Sequence, residues 1–288
     1  MPQDLLELIK KYKTCFLIAP SFPIDFKYPN IIGELKAIGA DKVTELTFGA
    51  KIVNEQYIEY ITKNPNQKYY ITSPCPTIVS LIKLQYPELK QYLIPVVSPL
   101  IAQAKIVKQF YPECKIIFIS PCKAKREIEA KEYQNLIDYV ITFKELQQIF
   151  TELNINENEF ENCNEKFDSL ILSKTKIYPI SGGLAHSAKI KNYFSDDLVC
   201  AVDGIINVKK TLNEIKNGTS KYKFFDILNC DGGCIGSFDI NNHDKEKNLK
   251  AWIVLQYKTQ METEDKHSES HIEQHKKELK EIKFTREF

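Results

Sequence analysis

The 288-residue chain contains no apolar run long enough to cross a bilayer. Its most apolar window, YLIPVVSPLIAQA at 92–104, is short and broken by Pro95 and Pro99, whereas a spanning helix needs about 20 apolar residues. The first residues, MPQDLLELIKKYK, carry an acid at Asp4 and no secretory apolar region. An excess of one charge is also missing. The 39 basic and 38 acidic side chains leave a net charge of +1, which speaks against nucleic acid as the main partner. There is no Gly-x-Gly-x-x-Gly and no Walker loop, so nucleotide binding has no support. No internal repeat of solenoid length is present. What these absences leave is an ordinary globular chain, 43% hydrophobic and 27% charged, expected in the cytoplasm and away from membranes.

Cysteine is not scarce. Eight are present, at 15, 75, 114, 122, 163, 200, 230 and 234. A disulfide framework suits neither a reducing compartment nor a chain of this length. The spacing Cys-x-x-Cys, which marks zinc knuckles and thioredoxin-like sites, does not occur. Instead Cys230 and Cys234 stand four apart in LNCDGGCIGS, with Asp231, Gly232 and Gly233 between them. Cys15, Cys114 and Cys200 lie in or beside apolar runs and read as buried thiols. Cys163 falls in the polar loop 154–167 and reads as a bystander.

Continuous apolar runs at 14–20, 68–73, 115–120, 138–142, 197–202 and 251–256 read as strands of a sheet covered on both faces. Helical patterns alternate with them. One covers 77–92. A second begins at the Ser98 N-cap, with Pro99 in its first turn, and runs to about Phe110. A third, 143–153, opens on a Thr142–Glu145 capping box. Alternating strands and helices imply an α/β architecture with largely parallel sheets.

Two of these strands end alike. KYYITS runs into Pro74-Cys75-Pro76, and KIIFIS into Pro121-Cys122-Lys123. In open α/β sheets ligands sit beyond the carboxyl ends of strands, so both turns aim a cysteine at such an edge. Cys75, Cys122, Cys230 and Cys234 thus form a candidate set of four thiolates, from three segments, that meets only in the fold. Four cysteines suit a 4Fe-4S cluster. A four-cysteine zinc site and a set of plain buried thiols remain alternatives.

The segments 72-TSPCP-76, 120-SPCKAK-125 and 230-CDGGCIG-236 resemble the three signature loops of the iron-only (FeFe) hydrogenase active-site domain, in order and in spacing. The similarity extends through 18-IAPSFP-23, 47-TFGA-50, 97-VSPLIA-102 and 180-ISGGL-184, and so covers nearly all of 14–237. It is nearest in flavour to the sensory or regulatory branch. The resemblance implies a two-lobed α/β domain of mostly parallel sheets flanked by helices, with the cluster in the cleft between lobes. It implies a cubane on Cys75, Cys122, Cys230 and Cys234, with Cys234 bridging to a di-iron subsite that carries CO, cyanide and a dithiolate. Lys125 matches a lysine that bonds one cyanide. Ser21, after Ala19 and Pro20, matches the residue whose backbone meets the other.

The departures fall on proton delivery and the di-iron pocket. Pro74 stands where the catalytic branch has a proton-relaying cysteine. Ser120 replaces a methionine, and Leu100 replaces a glutamine. Glu55 and Glu59 fall off the register of the family's proton-path glutamates. The glycine run after the last ligand is reduced to Gly236-Ser237. No ferredoxin-like Cys-x-x-Cys-x-x-Cys precedes Thr14, so a separate ferredoxin-like electron-transfer protein, or a signalling module, is the expected partner alongside H2 and protons. His186, after the glycine pair, is a candidate for the cleft wall, although a structural role is the simpler reading.

From Tyr257 the chain becomes dense in mixed charge, and 258–288 reads as a helical tail or connector after a hydrogenase-like domain over 1–257. The pair in 271-HIEQH-275 lacks the zincin order and reads as a solvated helix face. The combined expectation is a hydrogen-sensing or low-activity hydrogenase-like iron–sulfur protein. The alternative is a non-catalytic 4Fe-4S protein, assembly-related or regulatory, without the di-iron unit.

Overall fold

The structure, a computed structural model, describes residues 2–168 and 173–288, with the side chains of 173 and 263–278 outside the description. The two histidines of 271–275 therefore lie outside the described residues as far as side chains are concerned.

Two all-parallel sheets carry the fold. The first comprises β1 (Thr14–Ile18), β2 (Lys42–Glu45), β4 (Lys115–Ser120) and β5 (Tyr139–Thr142) in the order β2-β1-β4-β5. The second comprises β3 (Tyr70–Ile71), β6 (Val199–Asp203) and β7 (Phe224–Leu228) in the order β3-β7-β6. β1, β4 and β7 are buried along almost their whole length, as expected of strands covered on both faces. Around them pack α1 (Gln3–Lys11), α2 (Asn30–Ala37), α3 (Thr47–Lys63), α4 (Pro76–Gln85), α5 (Pro99–Phe110), α6 (Phe143–Glu152), α7 (Gly183–Ser187), α8 (Ile205–Lys216) and α9 (Lys247–Leu279). Each sheet has its own apolar core, one built on Phe16, Phe118 and Leu146, the other on Ile71, Ile78 and Phe225. The expected α/β fold with parallel sheets flanked by helices is present.

Local chemistry explains the helix starts. Ser98 Oγ accepts the Ile101 N–H at 3.5 Å, with Pro99 as the first helical residue. Thr142 and Glu145 form a reciprocal capping box at 3.2 and 2.8 Å. The helical pattern at 77–92 divides at Tyr86 into α4 and a 3-10 turn over Pro87–Tyr92.

Residues 251–256 form no strand; they lie within α9. Along its first half, the described buried positions are Lys250, Val254, Tyr257 and Met261. Their spacings of four, three and four follow the helical period, while Trp252 and Leu255 face outward. β2, a short and half-polar KVTE, was not expected. Its carboxylate Glu45 is fully buried against Lys176, which also contacts the Tyr257 hydroxyl at 3.1 Å. The charged stretch after Tyr257 is helical to Leu279, and the residues beyond it return to the core. Thr285 bridges Val96, the Phe284 carbonyl accepts the Val97 N–H at 2.9 Å, and the Arg286 N–H reaches the Pro95 carbonyl at 3.1 Å. Phe284 and Arg286 are buried. Among the described residues no helix is long and apolar enough to cross a membrane.

Candidate metal-cluster site

The carboxyl ends of five strands, drawn from both sheets, meet at one cavity of about 100 Å³. β1 delivers Ala19, Pro20 and Ser21; β2 delivers Leu46; β3 leads to Pro74 and Cys75; β4 leads to Cys122 and Lys125; β7 leads to Cys230 and Cys234. All four candidate cysteines thus line the same cavity. The remaining wall is largely apolar and includes Leu100, Phe118, Leu184 and Leu228. Cys15, Cys114, Cys163 and Cys200 take no part in it.

Each turn has a reason for its shape. Ser120 closes the β4 turn on itself: its hydroxyl accepts the Cys122 N–H at 3.1 Å and donates to the Cys122 carbonyl at 2.9 Å. It is thereby occupied with backbone and lies outside the cavity wall. The last loop crosses Pro179–Ser181 at close range. Ser181 N–H donates to the Gly232 carbonyl at 3.1 Å, and a Cβ at Gly233 would stand 2.5 Å from the Pro179 carbonyl. Gly232 and Gly233 both have positive φ, +80° and +92°, a conformation natural to glycine. The two glycines between Cys230 and Cys234 are therefore a geometric requirement of the loop.

The thiols share one electrostatic environment. Burial pushes Cys230 up to about 11 and Cys122 upward, with Cys75 adding to both; burial pushes Cys234 well above the usual thiol range. Four clustered thiolates repel one another, so the donor set calls for a cationic centre among them. Among the described residues no three metal-ligating side chains converge tightly enough for a single ion. Four cysteines lining one cavity are the donor set of a four-iron cluster.

Lys125 occupies a wide helical turn of π type, Lys125–Ala130. Its ammonium lies 2.5 Å from Glu129 Oε2 and 3.1 Å from the Pro74 carbonyl. Ser21 is fully buried, and its hydroxyl has no protein partner. The structure brings both to the cavity, together with Ala19 and Pro20.

Other candidates do not arrive. His186 is exposed on α7, and Glu55 and Glu59 sit on the outer side of α3 with Lys51 and Lys63. The buried glutamine of this region is Gln103, one turn beyond Leu100; it accepts the Gly49 N–H at 2.8 Å. Sequence reasoning missed Asp226 on β7, a buried carboxylate in the cavity wall. Its signal was a lone acid inside the apolar run FFDIL.

The family model described as "Iron only hydrogenase large subunit, C-terminal domain" matches residues 12–237. "Iron hydrogenase 1" of Clostridium pasteurianum is 25% identical over 269 residues, covering 76% of this chain and 47% of that protein. "Cytosolic Fe-S cluster assembly factor NAR1" of Kluyveromyces lactis is 30% identical over 105 residues, 36% of this chain and 22% of that protein. The chain thus spans less than half the length of these curated relatives. Among solved structures, the [FeFe]-hydrogenase HydA1 of Chlamydomonas reinhardtii superposes with a TM-score of 0.69 at 19% identity, covering 88% of each chain. A variant of it in the apo form gives 0.70 at 18% identity, covering 88% of this chain and 87% of that one. At such identities the likeness speaks for the fold. The family match, which spans every strand and all four cavity cysteines, speaks for descent: the chain belongs to the family of C-terminal domains of the iron-only hydrogenase large chain.

Proposed function

We propose that Cys75, Cys122, Cys230 and Cys234 hold a 4Fe-4S cluster and that Cys234 bridges from it to a di-iron subsite with CO, cyanide and dithiolate ligands. On this reading the protein senses H2, or interconverts H2 with protons and electrons at low turnover. The observation that carries it is the convergence of four thiols, a lysine ammonium and an unpartnered buried hydroxyl on one apolar cavity. When bound, the di-iron unit supplies an open iron position for H2 or a proton.

The chain's own residues divide the remaining work. The Lys125 ammonium has three N–H donors. Glu129 and the Pro74 carbonyl take two, and the third is left for an anionic ligand in the cavity. A buried anion without such a partner is costly by several kcal/mol. The Ser21 hydroxyl, at the end of the neighbouring strand β1, offers a second donor to the cavity. Leu46, Leu100, Phe118 and Leu184 exclude water. Pro74 bounds the cavity with a ring that has no proton to give, so proton delivery is the weak link, which fits sensing or slow turnover. A ferredoxin-like electron donor or a signalling module is the partner this reading calls for.

Infrared spectroscopy of the anaerobically matured protein tests this reading. Bands from CO and cyanide on iron support it; an iron–sulfur absorption without them overturns it. In that event Cys234 ends the cluster, and the protein is a cubane-only one in the manner of an assembly or regulatory protein. Pro74 and Leu100 in the cavity wall favour that second reading, as does the similarity to a protein named as an Fe-S cluster assembly factor.

A further inference from the structure

Asp226 has no part in the function proposed above, yet it is the one carboxylate among the described residues that line the cavity. It is 1% exposed. Oδ2 accepts the Ala185 N–H at 3.0 Å, while Oδ1 is buried without a partner. A buried carboxylate with a bare oxygen is costly as an anion and tolerable as an acid. Burial accordingly pushes its pKa up to about 6, against the opposing pull of the Ala185 and Leu184 N–H groups.

The groups around it are few. Tyr57 on α3 and Tyr178 before α7 are titratable side chains that feel its charge, and Tyr57 also feels Arg286. Across the cavity stand Cys75, Cys122, Cys230, Cys234 and Lys125. On β6 its neighbour is Ala201, and Asp203, two residues on, is engaged by the Gly232 N–H at 2.8 Å. On β3 the nearby polar group is the Thr72 hydroxyl, which accepts the Ile227 N–H at 3.2 Å. His186 on α7 faces solvent. Among the described residues no cation pairs with the carboxylate, so an added negative charge in the cavity would act on it directly.

We propose that Asp226 is a proton-accepting group of this cavity: were a cluster held there reduced by one electron from a ferredoxin-type donor, Oδ1 would take one proton from solvent. One O–H bond forms at Oδ1 as one O–H bond of a solvent hydronium ion breaks, the electron comes from the donor, and the cavity's net charge is unchanged. The proposal rests on the cluster reading above and extends it to the coupling of electrons and protons. By linkage, the cluster's reduction potential then depends on pH.

The test is a potentiometric titration of the whole chain loaded with a 4Fe-4S cluster, for native protein and Asp226→Asn. The asparagine keeps an oxygen for the Ala185 N–H, so a purely structural cap survives in it. The native potential is expected to fall from about pH 6 upward, by up to about 59 mV per tenfold change in proton concentration for a one-electron couple. The variant's potential is expected to be flat. A flat native potential, or an unchanged slope in Asp226→Asn, overturns the proposal. If that variant does not fold, reduced-minus-oxidised infrared spectra of native protein with isotope-labelled aspartate decide: a protonated-carboxyl band must appear on reduction, and its absence overturns the proposal. Failure of the cluster reading itself shows differently, as a chain that binds no iron.

Discussion

The Nζ of Lys125 lies 3.1 Å from the carbonyl oxygen of Pro74, joining the turn after β4 of one sheet to the turn after β3 of the other. Both turns carry a cavity cysteine. The ammonium is held there by Glu129, which is 1% exposed. The pair therefore acts on the fold as well as on the cavity. Lys125→Met is expected to destabilise the protein by roughly 3 kcal/mol, since it strips the cation from a buried carboxylate. Adding Glu129→Gln should restore most of that loss. Urea denaturation of the iron-free protein measures both, and an additive double variant would refute the coupling.

Cysteine substitutions separate cavity thiols from bystanders. Cys122→Ala is expected to lose most of its iron, and Cys200→Ala, on β6 and away from the cavity, to keep it. Iron and sulfide analysis after reconstitution reads the difference. Full iron content in Cys122→Ala would remove the cluster reading altogether.

Pro74→Cys puts a thiol where the cavity wall has a ring. The backbone carbonyl that receives Lys125 is retained. If proton delivery limits turnover, H2 oxidation by the matured protein should rise by about 10²-fold, the low end of what one positioned acid contributes. Unchanged turnover would mean that the limit lies elsewhere.

Glu34 on α2 gives the fold a pH dependence. Burial, reinforced by the Glu157 carboxylate, pushes its pKa up to about 7 from an ordinary 4.5. An acid raised in this way stabilises the fold below its unfolded pKa, and that contribution is lost as pH rises through about 7. The loss is on the order of 2 kcal/mol, from about 1.4 kcal/mol per unit with allowance for solvent. Glu34→Gln should flatten stability between about pH 5 and about pH 8. Denaturation midpoints at the two pH values check it, and an unchanged difference would exonerate Glu34.

Phe284, near the carboxyl end, is 6% exposed and belongs to the main core. Phe284→Ala is expected to cost about 3 kcal/mol. Thermal unfolding measures this; a loss below about 0.5 kcal/mol, typical of a surface change, would show that the segment only rests on the surface.

The cavity was legible because its cysteines sit in turns that follow strong apolar strands. TCFLI and KIIFIS announce β1 and β4 by continuous burial, and the caps at Ser98 and Thr142 announce their helices by side-chain chemistry. Failures came where burial and polarity part company. AWIVLQ is apolar throughout, but its buried members follow a helical period. KVTE is half polar, yet Glu45 is wholly buried because Lys176 comes to it from 131 residues away. Asp226 and Glu129 escaped notice for the same reason: an acid is read as solvent-facing until the fold shows what encloses it. Lys125 was visible only through its neighbours, since nothing in its residue type distinguishes it from a surface lysine.

The return of the last residues has a mechanical side. Two backbone hydrogen bonds tie Phe284 and Arg286 to Val97 and Pro95. The next residues along, Ser98 and Pro99, begin α5, and Pro99 and Leu100 form part of the cavity wall. A displacement of the 284–286 segment would therefore be felt at the cavity wall, because the residues it holds run directly into the Ser98 cap and Pro99.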